Sequence, residues 1–154
     1  MYMCATIKLR TNFLGSGPRQ AGRRTLKRTP DNRISIDENE WRSDLSEAAK
    51  SLGIEANMKC IKFEEGFYAE KTCTLRRTYN KVNVEMFEGI PAPSILDIYM
   101  FMDERVGEDM TLDNLKKSLT VFGKFFGISQ FGKKFQCGRF DVLELKVLNK
   151  DDYK

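Results

Sequence analysis

A strand and a helix follow one another over residues 95–126, which read ILDIYMFMDERVGEDMTLDNLKKSLTVFGKFF. Ile95–Met102 is apolar at almost every position, as a central strand buried on both sides would be, although a short helix is the alternative. Thr111 is a typical helix N-cap, and apolar residues then recur at helical spacing until Gly127 ends the helix. We therefore predict a strand, a loop and an amphipathic helix.

The beginning of the chain repeats this order of a strand and then a helix. Residues 4–14 alternate apolar and charged side chains, which is typical of a strand with one buried face. Asp37 and Glu40 form a capping-box pattern, and the apolar residues that follow keep helical spacing as far as Gly53. A second pair of strand and helix is therefore expected.

Further strands are predicted between and after the two helices, at residues 58–63, 67–78, 82–88 and 139–148. The second and third of these form a long hairpin, and the apolar phase of the last changes at Val142-Leu143, which indicates a bulge. The order predicts an α+β fold of the ferredoxin-like type, β-α-β-β-α-β. Its antiparallel sheet would carry two helices on one face and an extra β-hairpin.

The composition limits both the number of domains and the kinds of active or metal site that the chain can form. The 154 residues are 41% hydrophobic and predict one domain over 1–150, followed by a frayed charged tail at 151–154. The chain has no histidine, which excludes histidine-dependent nucleophiles and histidine-ligated metal sites and favours binding over catalysis. Four widely spaced cysteines predict reduced thiols in a cytoplasmic protein, and no apolar run reaches membrane-spanning length. We expect no cofactor.

The most informative segment is residues 15–33, which we expect to form a basic, flexible loop. It holds six cations against Asp31, a net charge of +5, whereas the whole chain nets +4. Arginine and lysine at this density neutralise phosphates. An acidic protein partner and a solvated insertion without a partner are the alternatives. The residues predicted to contact phosphates are Arg19, Arg23, Arg24, Lys27 and Arg28.

Two other segments combine cations with aromatic rings, which is typical of single-strand binding. The predicted hairpin tip carries Arg76, Arg77, Tyr79 and Lys81, although a surface turn has the same composition. The glycine-rich segment after the last helix adds Phe131, Lys133, Lys134, Phe135 and Arg139, and its phenylalanines are also compatible with a place in the core.

The end of the chain resembles that of a known group. Gly127-Ile128, the glycine-rich basic loop and the run Gly138-Arg139-Phe140-Asp141-Val142 are similar to the closing segment of small phage proteins. These phage proteins are related to the repeat-associated (RAMP, or Cas7-like) ferredoxin-fold proteins that bind RNA. The resemblance implies a phage-encoded protein of the host cytoplasm that binds nucleic acid without a guide and without cleaving it.

Three hypotheses follow, and all leave a homo-oligomer open. The first is a non-catalytic protein that binds single-stranded DNA or RNA. The second is an interaction protein that inhibits or remodels a host protein or nucleoprotein complex, with no membrane involved. The third is a nuclease with Mg²⁺ held by carboxylates such as Asp97 or Asp103.

Overall fold

The computed structural model describes residues 1–79, 83–128 and 136–149. The strands and helices of these residues occur in the order β1 (Tyr2–Leu9), β2 (Phe13–Leu14), β3 (Arg19–Gln20), β4 (Arg23–Arg24), β5 (Ile34–Ser35), α1 (Glu38–Ser51), β6 (Ile61–Phe63), β7 (Gly66–Phe67), β8 (Cys73–Tyr79), β9 (Asn83–Ile90), β10 (Ile95–Met102), α2 (Leu112–Phe125) and β11 (Phe140–Val147). The predicted α+β class with two helices is confirmed.

Both helices begin at the predicted caps. The Asp37 carboxylate accepts a hydrogen bond from the Glu40 amide at 3.3 Å, and the Thr111 hydroxyl accepts one from the Asn114 amide at 3.1 Å. These bonds satisfy amides that have no partner within the helix. Within the part of the chain that the structure describes, neither helix is long and apolar enough to cross a membrane.

A four-stranded antiparallel sheet, the main sheet, lies at the centre of the molecule in the order β11-β1-β10-β6. Trp41 of α1 ties the sheet to the helices, because its ring packs 5.4 Å from Phe63 of β6 and 6.2 Å from Phe122 of α2. The helices therefore cover one face of the sheet, and the core lies between the two layers.

The prediction that β10 is buried on both sides is wrong, although its bounds are as predicted. Burial alternates along the strand, so that Leu96 lies in the core whereas its neighbour Ile95 is 62% exposed. Apolar and aromatic residues favour strands even where only one face is covered, which is why the run suggested burial on both sides. The second face, called here the open face, includes Ile95, Asp97, Tyr99 and Phe101 of β10.

The last strand lies directly under α2 and contains the predicted bulge. The register between β1 and β11 shifts between Thr6 and Ile7. Thr6 pairs with Glu144 and Ile7 pairs with Val142, so that Leu143 is the extra, unpaired residue of the bulge. Gly123 allows the contact with the helix, because a Cβ there would lie 2.3 Å from the carbonyl oxygen of Phe140.

A second sheet is built around β9, which pairs with β8 as the predicted hairpin and also with β2 and β4. Part of the segment expected to be an irregular loop is a short hairpin, β3–β4. Its two-residue turn, Ala21-Gly22, has positive φ at both positions, as tight hairpin turns require. The predicted strands over 4–14 and 67–78 are each interrupted, giving β1 with β2 and β7 with β8.

Candidate nucleic-acid interface

Four of the predicted phosphate-binding arginines lie beside β9, in two pairs on opposite faces of the second sheet. They are carried by the β3–β4 hairpin and the residues after it, and two glutamates of β9 hold them in place. We call this group and its exposed neighbours on the same segments the cationic surface, consisting of Arg19, Arg23, Arg24, Lys27, Arg28 and Arg76 with Glu85 and Glu88.

Glu85 binds one pair of these arginines. Its carboxylate accepts hydrogen bonds from Arg19 at 2.6 Å and from Arg24 at 2.9 Å. The glutamate side chain is only 19% exposed, whereas that of Arg19 is 67% exposed. The carboxylate thus anchors a guanidinium that still faces solvent.

Glu88 binds the other pair with a fuller set of bonds. Its carboxylate accepts from both terminal nitrogens of Arg28, at 2.7 and 3.2 Å, and from the amide of Leu26 at 2.8 Å. Arg23 lies 3.7 Å from the same carboxylate and donates to the hydroxyl of Thr74 at 2.7 Å. A bidentate pair of this kind fixes the plane of the guanidinium.

The environment of Glu88 keeps it ionised. Burial alone would raise its pKa, but the hydrogen bonds from Arg28 and Leu26 and the positive charges of Arg28 and Arg23 outweigh burial and lower the pKa. Glu88 therefore carries its negative charge at neutral pH and orients the arginines around it.

An excess of positive charge remains on this surface after the ion pairs are formed. Each pair of arginines exceeds its glutamate by one charge, and the exposed Lys27 and Arg76 add two more on the side of Glu88. An open groove of about 610 Å³ is lined by Arg23, Lys27 and Arg28 beside Pro18, Gln20 and Thr25. This arrangement is suited to anionic ligands with several charges.

Two other predicted site residues make contacts inside the fold. Arg77 donates to the sulfur of Cys137 at 3.3 Å, and Arg139 donates to the carbonyl oxygen of Lys124 at the end of α2. Burial raises the pKa of the Cys137 thiol, and the charges of Arg77 and Arg139 oppose that rise. The structure therefore places these two arginines apart from the groove.

The remaining predicted residues stay predictions. The side chain of Tyr79 and all of Lys81, Phe131, Lys133, Lys134 and Phe135 lie outside the described residues.

Sequence reasoning missed Glu85 and Glu88, because it counted only carboxylates close to the arginines along the chain. The available signal was their position in Val84–Ile90, where two carboxylates interrupt an otherwise apolar strand. Charged residues in a strand often face partners on a neighbouring strand.

The carboxylates considered for a metal site are engaged in local bonds. Asp97 accepts from the hydroxyl of Thr6 at 2.8 Å. Asp103 accepts from the side chain and backbone of Arg105, and these bonds lower its pKa to about 2. Among the described residues, no three side chains of the types Cys, Asp and Glu converge as they would around a metal ion.

Comparison with known proteins gives a match in fold. No family model matches the chain, and no curated protein matches it in sequence. A chain of the type III-B Cmr-beta complex bound to cognate target RNA, determined by cryo-EM, is similar in structure, with a TM-score of 0.56 and 13% sequence identity. The match covers 96% of this chain and 60% of the Cmr chain. At the level of the fold, the protein is similar to a chain of a Cmr complex, which supports the loose RAMP-like resemblance.

Proposed function

We propose that the protein binds single-stranded nucleic acid through the cationic surface and catalyses no reaction on it. The observation that carries the proposal is the set of arginines that Glu85 and Glu88 hold in place while an excess of positive charge remains. Nucleic-acid affinity depends largely on such cations, because each one that neutralises a phosphate releases counterions. The similar Cmr chain belongs to a complex bound to target RNA, which agrees with this role.

We further propose that the main sheet and its two helices form a ferredoxin-like unit of the RAMP type. Its strands, numbered one to four along the chain as β1, β6, β10 and β11, lie in the order 4-1-3-2. The helices follow the first and third strands, as in β-α-β-β-α-β. The hairpin β8–β9 is then an insertion that carries Arg76, Glu85 and Glu88 of the cationic surface.

The preference for single strands is inferred from the hairpin β8–β9. This hairpin presents Arg76 and continues toward Tyr79, whose ring we predict to stack on a base. Cations that follow a backbone beside a stacking ring are typical of proteins that bind single strands with little sequence preference. A duplex hides its base faces and would offer the ring nothing to stack on.

The alternative function is docking on an acidic protein surface in a host complex. The contacts of Glu85 and Glu88 favour it, because they show that these arginines accept carboxylates as partners. The phage origin and the location in host cytoplasm remain predictions of the sequence resemblance.

Fluorescence anisotropy with single-stranded RNA, single-stranded DNA and a duplex, at several salt concentrations, tests the proposal. Lys27→Glu with Arg76→Glu should weaken single-strand binding and reduce the slope of log affinity against log salt by roughly 1.4, since two cations are removed. These side chains are exposed, and changing them leaves the ion pairs of Glu85 and Glu88 intact.

Lys50→Glu with Lys116→Glu, on the exposed sides of α1 and α2, is the matched control, because it makes the same charge change away from the cationic surface. An unchanged slope in the Lys27 and Arg76 variant would show that this surface does not bind the strand. Weak binding to all three nucleic acids that disappears at moderate salt would contradict the proposal and favour the protein partner.

A further inference from the structure

The open face of the main sheet carries two aromatic rings in contact. Tyr2 of β1 lies directly opposite Phe101 of β10, with ring centroids 4.9 Å apart and an interplanar angle of 54°. Tyr2 is 41% exposed, and Phe101 is half-buried. A pair of this kind stabilises a sheet, but rings that remain at the solvent surface also present apolar area to a ligand.

Lysines flank this ring pair on the same face. Lys62 of β6 lies opposite Phe101, and Lys146 of β11 lies opposite Cys4, one row along from Tyr2. Both lysines are exposed. The row of the rings therefore has a lysine at the β6 edge of the sheet, and the next row has a lysine at the β11 edge.

Most carboxylates of this face lie farther from the rings. Asp97 and Glu144 both face Thr6, and Asp141 faces Lys8, so these acidic groups occupy the third and fourth rows counted from Tyr2. Glu64, which follows β6, lies in the second row beside Tyr99, but its charge is balanced by an ion pair with Arg33 at 2.9 Å. At about 3.3 Å per residue along β1, the distance from Tyr2 to the row of Thr6 is roughly 13 Å. The end of the open face that holds the rings is thus the end suited to an anionic ligand.

The polar groups of the central rows make a hydrogen bond with one another and add little net charge near the rings. The Thr6 hydroxyl donates to the Asp97 carboxylate at 2.8 Å. Burial and the nearby charge of Asp97 raise the pKa of the Cys4 thiol to about 11, so Cys4 adds no negative charge at neutral pH.

We infer that the open face is a second contact for the single strand, where Tyr2 and Phe101 stack on bases while Lys62 and Lys146 contact the adjacent phosphates. Bases bring flat apolar faces, and phosphates bring regularly spaced negative charges, which together match rings bordered by lysines. This inference rests on the proposed function, and it adds base contacts on a surface other than the hairpin β8–β9 and the cationic surface.

Binding of a single-stranded oligonucleotide that contains 2-aminopurine tests the inference, because stacking on a ring quenches this fluorescent base. Tyr2→Leu and Phe101→Leu should each weaken binding about 5- to 150-fold and reduce the quenching, while the salt slope stays unchanged. Phe101→Tyr keeps an aromatic ring and should retain both the wild-type affinity and the wild-type quenching. Ile95→Ala is the matched control, because it removes an exposed apolar side chain from the same face of the same strand.

The variant Lys27→Glu with Arg76→Glu, which lowers the positive charge of the cationic surface, distinguishes a failure of this inference from a failure of the proposed function. Wild-type affinity and quenching in both leucine variants would overturn the inference, and a loss of binding in Lys27→Glu with Arg76→Glu would still support the proposed function. If the wild-type protein binds no oligonucleotide, both ideas fail. Self-association that Tyr2→Leu abolishes, without an effect on oligonucleotide binding, would identify the face as a contact between copies and overturn the inference.

Photocrosslinking of the wild-type protein keeps the test valid if a leucine variant does not fold. An oligonucleotide containing 4-thiouridine should form adducts on peptides that include Tyr2 or Phe101, detected by mass spectrometry. Adducts confined to other peptides would overturn the inference.

Discussion

At the scale of single residues, Glu85 and Glu88 decide how the arginines of the cationic surface are arranged. Each carboxylate is mostly buried and holds two guanidiniums, with distances of 2.6 to 3.7 Å. Isolated surface ion pairs contribute little to stability, but a carboxylate that is largely desolvated and bonded several times contributes more. Glu88 is the stronger case, with its side chain 12% exposed and three hydrogen bonds within 3.2 Å.

We expect Glu88→Gln to destabilise the protein in a way that depends on pH. The pKa of Glu88 is lower in the folded protein than its ordinary value of 4.5, so the ionised form stabilises the fold above pH 4.5. This contribution is lost as pH falls through the folded pKa. The variant should be less stable than wild type by about 1–3 kcal/mol at pH 7, and the difference should shrink below pH 4.5. Chemical unfolding across this pH range measures it.

Glu108→Gln provides the control, because Glu108 is exposed in a loop away from the arginines. It should leave the stability nearly unchanged at every pH. A constant difference between wild type and Glu88→Gln from pH 7 to pH 3 would show that the ion pairs with Arg23 and Arg28 do not stabilise the fold.

At the scale of secondary-structure elements, the contact of α2 with β11 depends on the absence of a side chain at Gly123. Gly123→Ala should destabilise the protein by about 1–3 kcal/mol, because its Cβ would overlap the backbone and ring of Phe140. Helix propensity acts in the opposite direction and would favour alanine by about 1 kcal/mol. Urea or thermal unfolding decides which effect is larger.

Thr120→Ala places an alanine at an exposed position of the same helix and therefore serves as the control for helix propensity. Because alanine has a higher helix propensity than threonine, this substitution should leave the stability unchanged or increase it slightly. Equal stabilisation by both alanine variants would mean that α2 and β11 are not in the close contact that Gly123 permits.

Elements whose signals are local in sequence could be predicted well. The caps at Asp37 and Thr111, the bounds of β10 and the bulge near Leu143 all depend on residues within a few positions of one another. The hairpin β3–β4 was missed, because only its pairing with distant β9 makes such a short polar segment a strand.

The sequence predicted which cations belong to the candidate site, but it did not predict how they are arranged. Arg23 and Arg28 could be selected from charge density alone, whereas their anchor Glu88 is 60 residues away from Arg28 in the chain. The aromatic residues Tyr2 and Phe101 were missed for a similar reason. Their sequence neighbours suggest burial, and only the one-sided cover of the sheet exposes them.

At the scale of the whole molecule, the described residues form two hydrophobic clusters of very different size. The larger lies between the main sheet and the helices, and the smaller consists, among residues 1–79, 83–128 and 136–149, of Leu14, Phe87 and Cys137 with Leu75 packed against them. Segments that bury less apolar surface open at a lower free energy. The hairpin β8–β9 should therefore open before the main sheet.

Native-state hydrogen exchange measures this difference. Amides of β8 and β9 should exchange with a lower opening free energy than those of β1 and β10. Phe87→Leu should lower the opening free energy of the hairpin by about 1 kcal/mol and leave β1 nearly unchanged. Ile61→Val, in the larger cluster, is the matched comparison and should mainly affect the main sheet.

Identical responses of both segments to both substitutions would show that the molecule opens as one cooperative unit. In that case the hairpin that carries Arg76, Glu85 and Glu88 would be as stable as the main sheet itself.

The ion pairs of Glu85 and Glu88 also bear on the thermodynamics of association. A long arginine side chain loses on the order of 2 kcal/mol of rotamer entropy when it is fixed in place. Because Arg24 and Arg28 are already bound to carboxylates, most of that loss accompanies folding and does not recur when a ligand arrives. For the proposed binding, the surface therefore acts as a prearranged template, and association should show a smaller entropic penalty than binding to a disordered basic tail of equal charge.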